Sequence, residues 1–306
     1  MAFRAMLLTA TLAGHLSAAG GAAALSSRTA RASGANVLFI LTDDQDITLG
    51  SLFVMPKVQK LLTKPGAYFQ NAFVNTPICC PSRCEIQTGR YMHNTKAPNN
   101  GCGGDAFRNG PETLNVAHYA REAGYTTYYS GKYLNNYGSA TSQYPNGTAY
   151  VPPGWDEWRA LVGNSRYYNY MVSDNGAKAP IHHGSNYGTD YYTDVLKNES
   201  AAWLSAWNKS KPFFMMVGTP CPHVPNIFAP QYSALFRDER APRLPNWNRA
   251  PANATGPGAK HWFLYEPALQ IPDVNSLSNV EPCCRPSSNS GSTSARWTRS
   301  TSTTPT

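Results

Sequence analysis

The run Ala-Asn-Val-Leu-Phe-Ile-Leu-Thr at residues 35–42 is almost continuously apolar, and Asp43-Asp44-Gln45-Asp46 follows it at once. A short apolar run that stops so abruptly is typical of a buried parallel strand. Ligands of open α/β sheets bind beyond the carboxyl ends of such strands. We therefore predict an α/β fold with carboxylates at the edge of the sheet where a ligand would lie.

Two later stretches repeat this order of helix, apolar strand and polar loop. Thr113 to Ala123 has alanine and leucine at helical spacing, Gly124 is a stop signal, and a strand at 126–130 leads into Gly131-Lys132. Downstream, a helix is predicted over 189–207 and a buried strand over 212–218, with Thr-Pro-Cys-Pro-His following at 219–223.

The remaining segments are read from composition and turn signals. Pro56 to Leu62 predicts a short helix with proline in its first turn. Residues 135–190 are rich in Asn, Tyr, Gly and Ser, which predicts a long irregular segment on the surface. Asp174-Asn175-Gly176, within that segment, predicts a turn.

Seven cysteines is an odd number, so at least one is unpaired, modified or joined to another chain. Cys79 and Cys80 are adjacent, and adjacent cysteines rarely bond to each other. A zinc site would need a second pair of ligands at suitable spacing. Cys84, Cys102 and Cys221 are left for structural roles.

The strongest chemical signal is Cys79-Cys80-Pro81-Ser82-Arg83 followed by Thr88-Gly89-Arg90. In these residues the chain resembles the type I sulfatases, and the paired cysteines resemble the branch of N-acetylglucosamine-6-sulfatase and secreted fungal arylsulfatases. The resemblance runs from about Asn36 to about Leu264. It includes Leu-Thr-Asp-Asp-Gln-Asp at 41–46, Gly-Lys-Tyr-Leu-Asn at 131–135, Pro-Pro-Gly-Trp at 152–155, Tyr-Tyr-Asn-Tyr at 167–170 and the 219–223 motif.

The resemblance implies a three-layer α/β/α sandwich of the alkaline phosphatase-like kind and hydrolysis of sulfate esters. Cys79 would be oxidised by a formylglycine-generating enzyme to the aldehyde 3-oxoalanine (formylglycine), which hydrates to a geminal diol. One hydroxyl attacks sulfur, the alcohol leaves, and a covalent sulfate ester remains. The second hydroxyl then expels sulfate by regenerating the aldehyde, which neither a serine nor an unmodified thiol could do.

The resemblance also implies a divalent metal, usually Ca²⁺, held by Asp43, Asp44 and the modified Cys79. Hard cations prefer several oxygen ligands. Without the cysteine signature, a solvated turn after a strand would be the better interpretation of Asp43-Asp44. Asp46 is expected at the surface or behind the metal ligands.

Three further residues match catalytic positions of the family. Arg83 would hold the modified nucleophile and neutralise charge near the metal. Lys132 would contact the sulfate, and His223 would contact the sulfate and protonate the leaving alcohol. By themselves they would be an ordinary arginine, a surface lysine and a loop histidine. Many sulfatases carry a histidine where this chain has Leu134, and His93 is a weak candidate to replace it.

The chain departs from the family on its C-terminal side. No Asp-Asn-Gly follows His223, and the family's small C-terminal domain has no counterpart. We therefore expect an incomplete sandwich, with residues 35–266 as a partial sulfatase N-terminal catalytic domain and an irregular tail at 267–306 that an out-of-frame reading would explain. The alternatives are a phosphonate or phosphodiester hydrolase of the same superfamily and an inactive sulfatase-derived protein.

The sequence favours a secretory route to the outside of the cell or to a lysosome or vacuole. Residues 1–25 predict a signal peptide too short to span a bilayer, and no later segment reaches membrane length. N-glycosylation sequons begin at Asn146, Asn198, Asn208 and Asn253. The net charge is +8, but no two Lys or Arg residues are adjacent, so nucleic acid is not expected as a partner. The expected partner is a sulfated small molecule or glycan. Tyr167, Tyr168, His182 and His183, within the tyrosine-rich stretch 165–192, are expected to line its pocket.

Overall fold

A computed structural model describes residues 34–139, 144 and 146–236. In that part of the chain the strands form one sheet in the order β1-β6-β2-β3-β4-β5. The strands are β1 Val37–Asp43, β2 Thr126–Lys132, β3 Glu157–Leu161, β4 Tyr170–Val172, β5 Ile181–His183 and β6 Phe213–Pro222. The predicted signal peptide at 1–25 and the predicted tail at 267–306 lie outside the described residues.

The α-helices are α1 Pro56–Val58, α2 Cys79–Thr88, α3 Met92–Thr95, α4 Gly104–Arg108, α5 Val116–Glu122, α6 Tyr187–Asp190 and α7 Tyr192–Ala206. A π-helical turn, Gln59–Thr63, continues α1, and 3-10 turns occupy Ser51–Val54, Pro111–Leu114, Gly147–Ala149 and Pro230–Tyr232. In the described part of the chain, no helix has the length and apolar character needed to cross a bilayer.

Helices cover both faces of the sheet, which is the predicted three-layer arrangement. Successive side chains of a strand point to opposite faces. Accordingly, Tyr129 and Met216 pack in the cluster that contains cysteines of α2. Tyr128 and Met215 pack on the other face against Trp203 of α7. The strands β1, β6, β2 and β3 are parallel, whereas β4 and β5 are antiparallel to their neighbours.

Strand β1 forms where it was predicted, but the prediction that it is buried is wrong. Its first four side chains, Val37 to Ile40, are 39–55% exposed, and only Asp43 at its end is buried. Few described residues pack over the faces of β1, which lies at the edge of the described sheet and pairs there only with β6. The apolar run therefore predicted the strand correctly, but it did not predict how far other segments bury the side chains of that strand.

Residues 135–190 are not an irregular surface segment, which corrects the prediction from composition. They contain β3, β4 and β5. Trp158 and Tyr137 are almost completely buried, and the Trp158 indole donates a hydrogen bond of 2.6 Å to the Tyr137 hydroxyl. Tyrosine and tryptophan can enter a core in this way because their polar ends find partners there. Asp174 to Ala177 does form the predicted turn, closed by a backbone hydrogen bond of 2.8 Å.

The predicted helix over 113–123 is interrupted at Asn115. The Asn115 side chain accepts hydrogen bonds from the backbone N–H groups of Ala117 (2.8 Å) and His118 (3.1 Å). Asparagine is a preferred N-cap because it satisfies N–H groups that have no partner inside the helix. Helix α5 therefore starts at Val116, after a separate 3-10 turn. The predicted helices at 56–62 and 189–207 are confirmed with shifted ends.

Candidate active site

Four chain segments bring polar residues to one edge of the sheet. Strand β1 ends at Asp43, β2 ends at Lys132, and β6 ends one residue before His223. Because these strands are parallel, their carboxyl ends share an edge. Helix α2 begins with Cys79, and Arg83 in its second turn contacts Asp43. This contact places the start of the helix at the same edge of the sheet.

Two glycines let β2 and β6 approach closely at this edge. Gly131 and Gly218 are paired in register, and Gly131 has a φ of +109°. A Cβ on Gly131 would lie 2.0 Å from the carbonyl oxygen of Gly218. No side chain larger than hydrogen fits there, so the backbone that carries Lys132 is held against β6.

Asp43 is the centre of the cluster. Its Oδ1 lies 3.2 Å from Arg83 Nη2, and its Oδ2 lies 2.7 Å from Lys132 Nζ and accepts a hydrogen bond of 2.6 Å from the Ser165 hydroxyl. Burial raises the pKa of Asp43, but the charges of Arg83 and Lys132 and the hydrogen bonds outweigh it, so this pKa lies below its ordinary value. Asp43 is therefore a carboxylate at neutral pH.

Arg83 also fixes the end of β2. Its Nη1 donates a hydrogen bond of 2.7 Å to the carbonyl oxygen of Lys132, which also accepts one from the Tyr129 hydroxyl. Arg83 is 4% exposed and Lys132 is 0% exposed. Buried charges are tolerated when they are paired and hydrogen-bonded, as both are here. The ammonium group of Lys132 is thus directed at Asp43.

Asp43, Asp44 and Cys79 could hold a metal ion. One ligand atom from each residue lies within 4.8 Å of the others. The two carboxylates suit a hard divalent cation, and Asp44 is exposed with a φ of +60°, so its side chain is not tied up in the protein core. The two carboxylates fit part of the oxygen shell of a hard divalent cation, whereas the Cys79 sulfur does not.

His223 lies beside Asp44. Its Nε2 is 3.7 Å from Asp44 Oδ2, and its Nδ1 is 2.6 Å from the carbonyl oxygen of Val224. A carbonyl only accepts, so Nδ1 carries the proton in this contact. The Tyr167 hydroxyl holds the backbone by donating a hydrogen bond of 2.7 Å to the His223 carbonyl. The structure thus brings together all six predicted site residues: Asp43, Asp44, Cys79, Arg83, Lys132 and His223.

Other candidates lie outside this cluster. Asp46 is exposed and accepts hydrogen bonds from Thr48, as expected for a surface residue. His93 is exposed and stacks on Tyr91 at 6.0 Å between ring centroids. Leu134 is completely buried in the core beneath α2.

The two histidines of the tyrosine-rich stretch belong to β5. His183 lies 3.6 Å from Asp190 and stacks on Tyr170 at 4.7 Å. His182 is exposed on the short strand. Asp174 pairs with Arg159 at 3.1 Å, consistent with a structural turn.

The disulfide partner of Cys80, which the sequence left open, is Cys102. The bond ties the first turn of α2 to the loop before α4. Asn100 accepts a hydrogen bond of 3.1 Å from the Cys80 N–H, and the Asn135 N–H lies 3.4 Å from the Cys80 sulfur. Cys79 remains a free thiol, next to a residue whose backbone and sulfur are both held.

Ser165 is the site residue that sequence reasoning missed. It is 8% exposed and comes shortly after β3, whose carboxyl end lies at the same edge as those of β1, β2 and β6. The rule that polar residues after parallel strands meet at one edge would have found it, had residues 157–161 been recognised as a strand.

Comparison with known proteins decides the family. The family model described as Sulfatase matches residues 35–274. The chain belongs to the sulfatase family. It is 40% identical over 246 residues to the human N-acetylglucosamine-6-sulfatase, covering 79% of this chain and 42% of the relative. It is 42% identical over 221 residues to a putative extracellular sulfatase Sulf-1 homolog of Caenorhabditis elegans, covering 71% of this chain and 30% of the relative.

Solved structures of sulfatases share the fold. A structure holding its substrate D-glucosamine-2-N,6-O-disulfate matches with a TM-score of 0.56 at 24% identity, over 72% of this sulfatase chain and 41% of the other. A putative sulfatase from Bacteroides fragilis matches with a TM-score of 0.52 at 17% identity, over 85% and 58%. These matches confirm the alkaline phosphatase-like α/β fold. The chain spans less than half the length of the N-acetylglucosamine-6-sulfatase and Sulf-1 relatives that it matches.

Proposed function

We propose that this protein hydrolyses sulfate esters of a small molecule or glycan, with Cys79 converted to formylglycine as the nucleophile. The observation that carries the proposal is the cluster at the sheet edge. Its centre, Asp43, lies within hydrogen-bonding distance of both Arg83 and Lys132. One carboxylate oxygen of Asp43, one of Asp44 and the Cys79 sulfur lie within 4.8 Å of one another.

Each residue then has a defined task. Position 79 opens helix α2, where backbone N–H groups and the helix dipole favour an anion such as an ionised diol hydroxyl. Arg83 and Lys132 hold Asp43 ionised, so that its carboxylate remains available as a ligand. Calcium held by Asp43, Asp44 and residue 79 would supply Lewis acidity toward the sulfate oxygens.

His223 is proposed as the acid that protonates the leaving alcohol. Its Nδ1 proton is engaged by the Val224 carbonyl, so Nε2 can donate only when the ring is doubly protonated. Asp44 Oδ2 lies 3.7 Å from Nε2, which is the ring nitrogen left to face the site.

The biological setting is also proposed. The relatives named above are an extracellular sulfatase homolog and N-acetylglucosamine-6-sulfatases, which supports a sulfated glycan or amino sugar as the substrate. Exposed asparagines at three of the sequons, Asn146, Asn198 and Asn208, support passage through the secretory pathway, where a formylglycine-generating enzyme would act on Cys79.

The test is to express the chain with a formylglycine-generating enzyme and to identify residue 79 by peptide mass spectrometry. Rates on 4-nitrophenyl sulfate, phosphate and phosphonate esters would then be compared, with Cys79→Ala as the matched control. We expect the aldehyde at position 79, a preference for the sulfate ester, loss of activity with chelator, and none in the control. An aldehyde-bearing protein that hydrolyses the phosphorus esters faster, or no ester at all, would contradict the proposal.

A further inference from the structure

A cavity of about 370 Å³ is lined by Tyr167 and Asn226, both of which donate hydrogen bonds to the His223 carbonyl. Four aromatic rings line it, those of Tyr167, Tyr191, Phe228 and Tyr232. Cys221 and Asp194 contribute a thiol and a carboxylate. Pockets of this volume with mostly apolar and aromatic walls and a few polar groups are typical of sites for small organic ligands.

The cavity and the catalytic cluster share the same two chain segments. Tyr167 follows Ser165, whose hydroxyl binds Asp43, by two residues. Cys221 precedes His223 by two residues, and the Asn226 N–H donates a hydrogen bond of 3.1 Å to the His223 carbonyl. The wall of the cavity is therefore in contact with the backbone of the proposed proton donor, through the hydrogen bonds of Tyr167 and Asn226 to the His223 carbonyl.

The aromatic wall is held in place before any ligand binds. The rings of Tyr167 and Tyr191 are stacked, with centroids 6.2 Å apart and planes 19° apart. The Tyr191 hydroxyl donates a hydrogen bond of 2.9 Å to the Ile227 carbonyl, as Tyr167 does to that of His223. A wall fixed in this way loses little conformational entropy on binding.

The charge of the lining restricts the ligand. Among the described residues that line the cavity, Asp194 is the one charged side chain, and none is Lys or Arg. Lys197 reaches Asp194 at 3.6 Å from an exposed position and does not line the cavity. Among the described residues, a second sulfate group placed here would meet the Asp194 carboxylate and no cation of the lining.

Resting on the proposed function, we infer that this cavity receives the uncharged ring of the substrate's alcohol and selects against a ring with a second sulfate. N-acetylglucosamine 6-sulfate and aryl sulfates then fit, because their rings can stack on tyrosine. Glucosamine 2-N,6-O-disulfate, the substrate found in the structurally similar protein, is disfavoured here.

The first test is kinetic. Tyr232 is 55% exposed, so Tyr232→Ala leaves the core intact, and we expect it to raise KM for N-acetylglucosamine 6-sulfate by about three- to tenfold, the range for one lost aromatic contact. Tyr119→Ala, at a residue 52% exposed on α5, is the matched control and should change nothing. Asp194→Asn should raise the relative rate on the disulfate. Unchanged KM in Tyr232→Ala together with an unchanged substrate ratio in Asp194→Asn would overturn the inference.

The second test does not need turnover. The Cys221 thiol lines the cavity, so alkylation by iodoacetamide, followed by peptide mass spectrometry, reports whether the cavity is filled. We expect excess N-acetylglucosamine 6-sulfate to slow alkylation of Cys221 more than the disulfate does. Protection of Cys221 without hydrolysis of the ester would support ligand binding in the cavity and would contradict the proposed function. Hydrolysis with equal labelling in all samples would sustain the function and overturn the inference.

Discussion

Replacing Glu112 should change how the stability of the protein depends on pH. Glu112 is completely buried, and the hydroxyls of Tyr133 and Tyr150 donate to its carboxylate oxygens. Burial raises the pKa of Glu112 to about 7, against the lowering effect of the two tyrosines and Arg108. The group is therefore protonated in the native protein at pH values where the unfolded chain has already lost the proton.

The sign and size follow by linkage. The native pKa is raised from 4.5 to about 7, so the stabilisation is fully present below pH 4.5 and is lost as the pH rises to about 7. At about 1.4 kcal/mol for each pKa unit, the loss comes to roughly 3 kcal/mol. Glu112→Gln cannot titrate and keeps a neutral group of similar size, so this loss should be absent in the variant.

The assay is urea unfolding at a series of pH values from 4.5 to 8, followed by fluorescence of the buried tryptophans. The difference in the free energy of unfolding between wild type and Glu112→Gln should shift by roughly 3 kcal/mol across this range, with wild type relatively more stable at the acid end. Parallel curves for the two proteins would refute the reasoning, because they would show that Glu112 has the same pKa in both states.

Three other variants test the cluster and the disulfide. Ser165→Ala removes a hydrogen bond to the buried Asp43 carboxylate, so the free energy of unfolding should fall by about 1.5–3 kcal/mol in urea titrations, and a midpoint equal to that of wild type would argue against this. Asp43→Asn leaves the charge of buried Lys132 uncompensated, so the free energy of unfolding should fall by about 3–5 kcal/mol in urea titrations, and an unchanged midpoint would contradict this. Replacing both Cys80 and Cys102 by Ala opens a loop of 22 residues and should lower the stability by about 3 kcal/mol, which thermal unfolding beside the reduced wild type would measure.

The site was predictable from sequence to a greater extent than the layers around it. Asp43 and Lys132 each follow an apolar strand, and the cysteine signature identified the residues on α2. These features are local in sequence, and the parallel sheet brings them together without further information. The extent of burial of β1 is different, since it depends on which segments pack over a strand, and no periodicity within residues 37–43 records that.

Composition was misleading where polar atoms are paired inside the protein. Residues 135–190 looked like surface because they are rich in Tyr and Asn, yet Trp158 and Tyr137 are in the core and Tyr150 packs against it. Their hydroxyl and indole groups reach partners such as Glu112 that lie far away in sequence. Such pairing is a property of the folded chain, so a composition-based rule counts these residues as solvated.

The charges at the sheet edge explain why the residues alone make an incomplete sulfate site. Asp43 and Asp44 carry two negative charges, and Arg83 and Lys132 carry two positive ones, with both cations directed at Asp43. The cluster is therefore nearly neutral and offers an anionic ester little net attraction, unless His223 is protonated. A divalent cation held by the carboxylates and residue 79 would make the net charge of the cluster positive. Its carboxylate ligands would be oxygen atoms that are already ionised. The pairing of Asp43 with two cations thus keeps its carboxylate ionised at low pH, but it does not supply the attraction for sulfate itself.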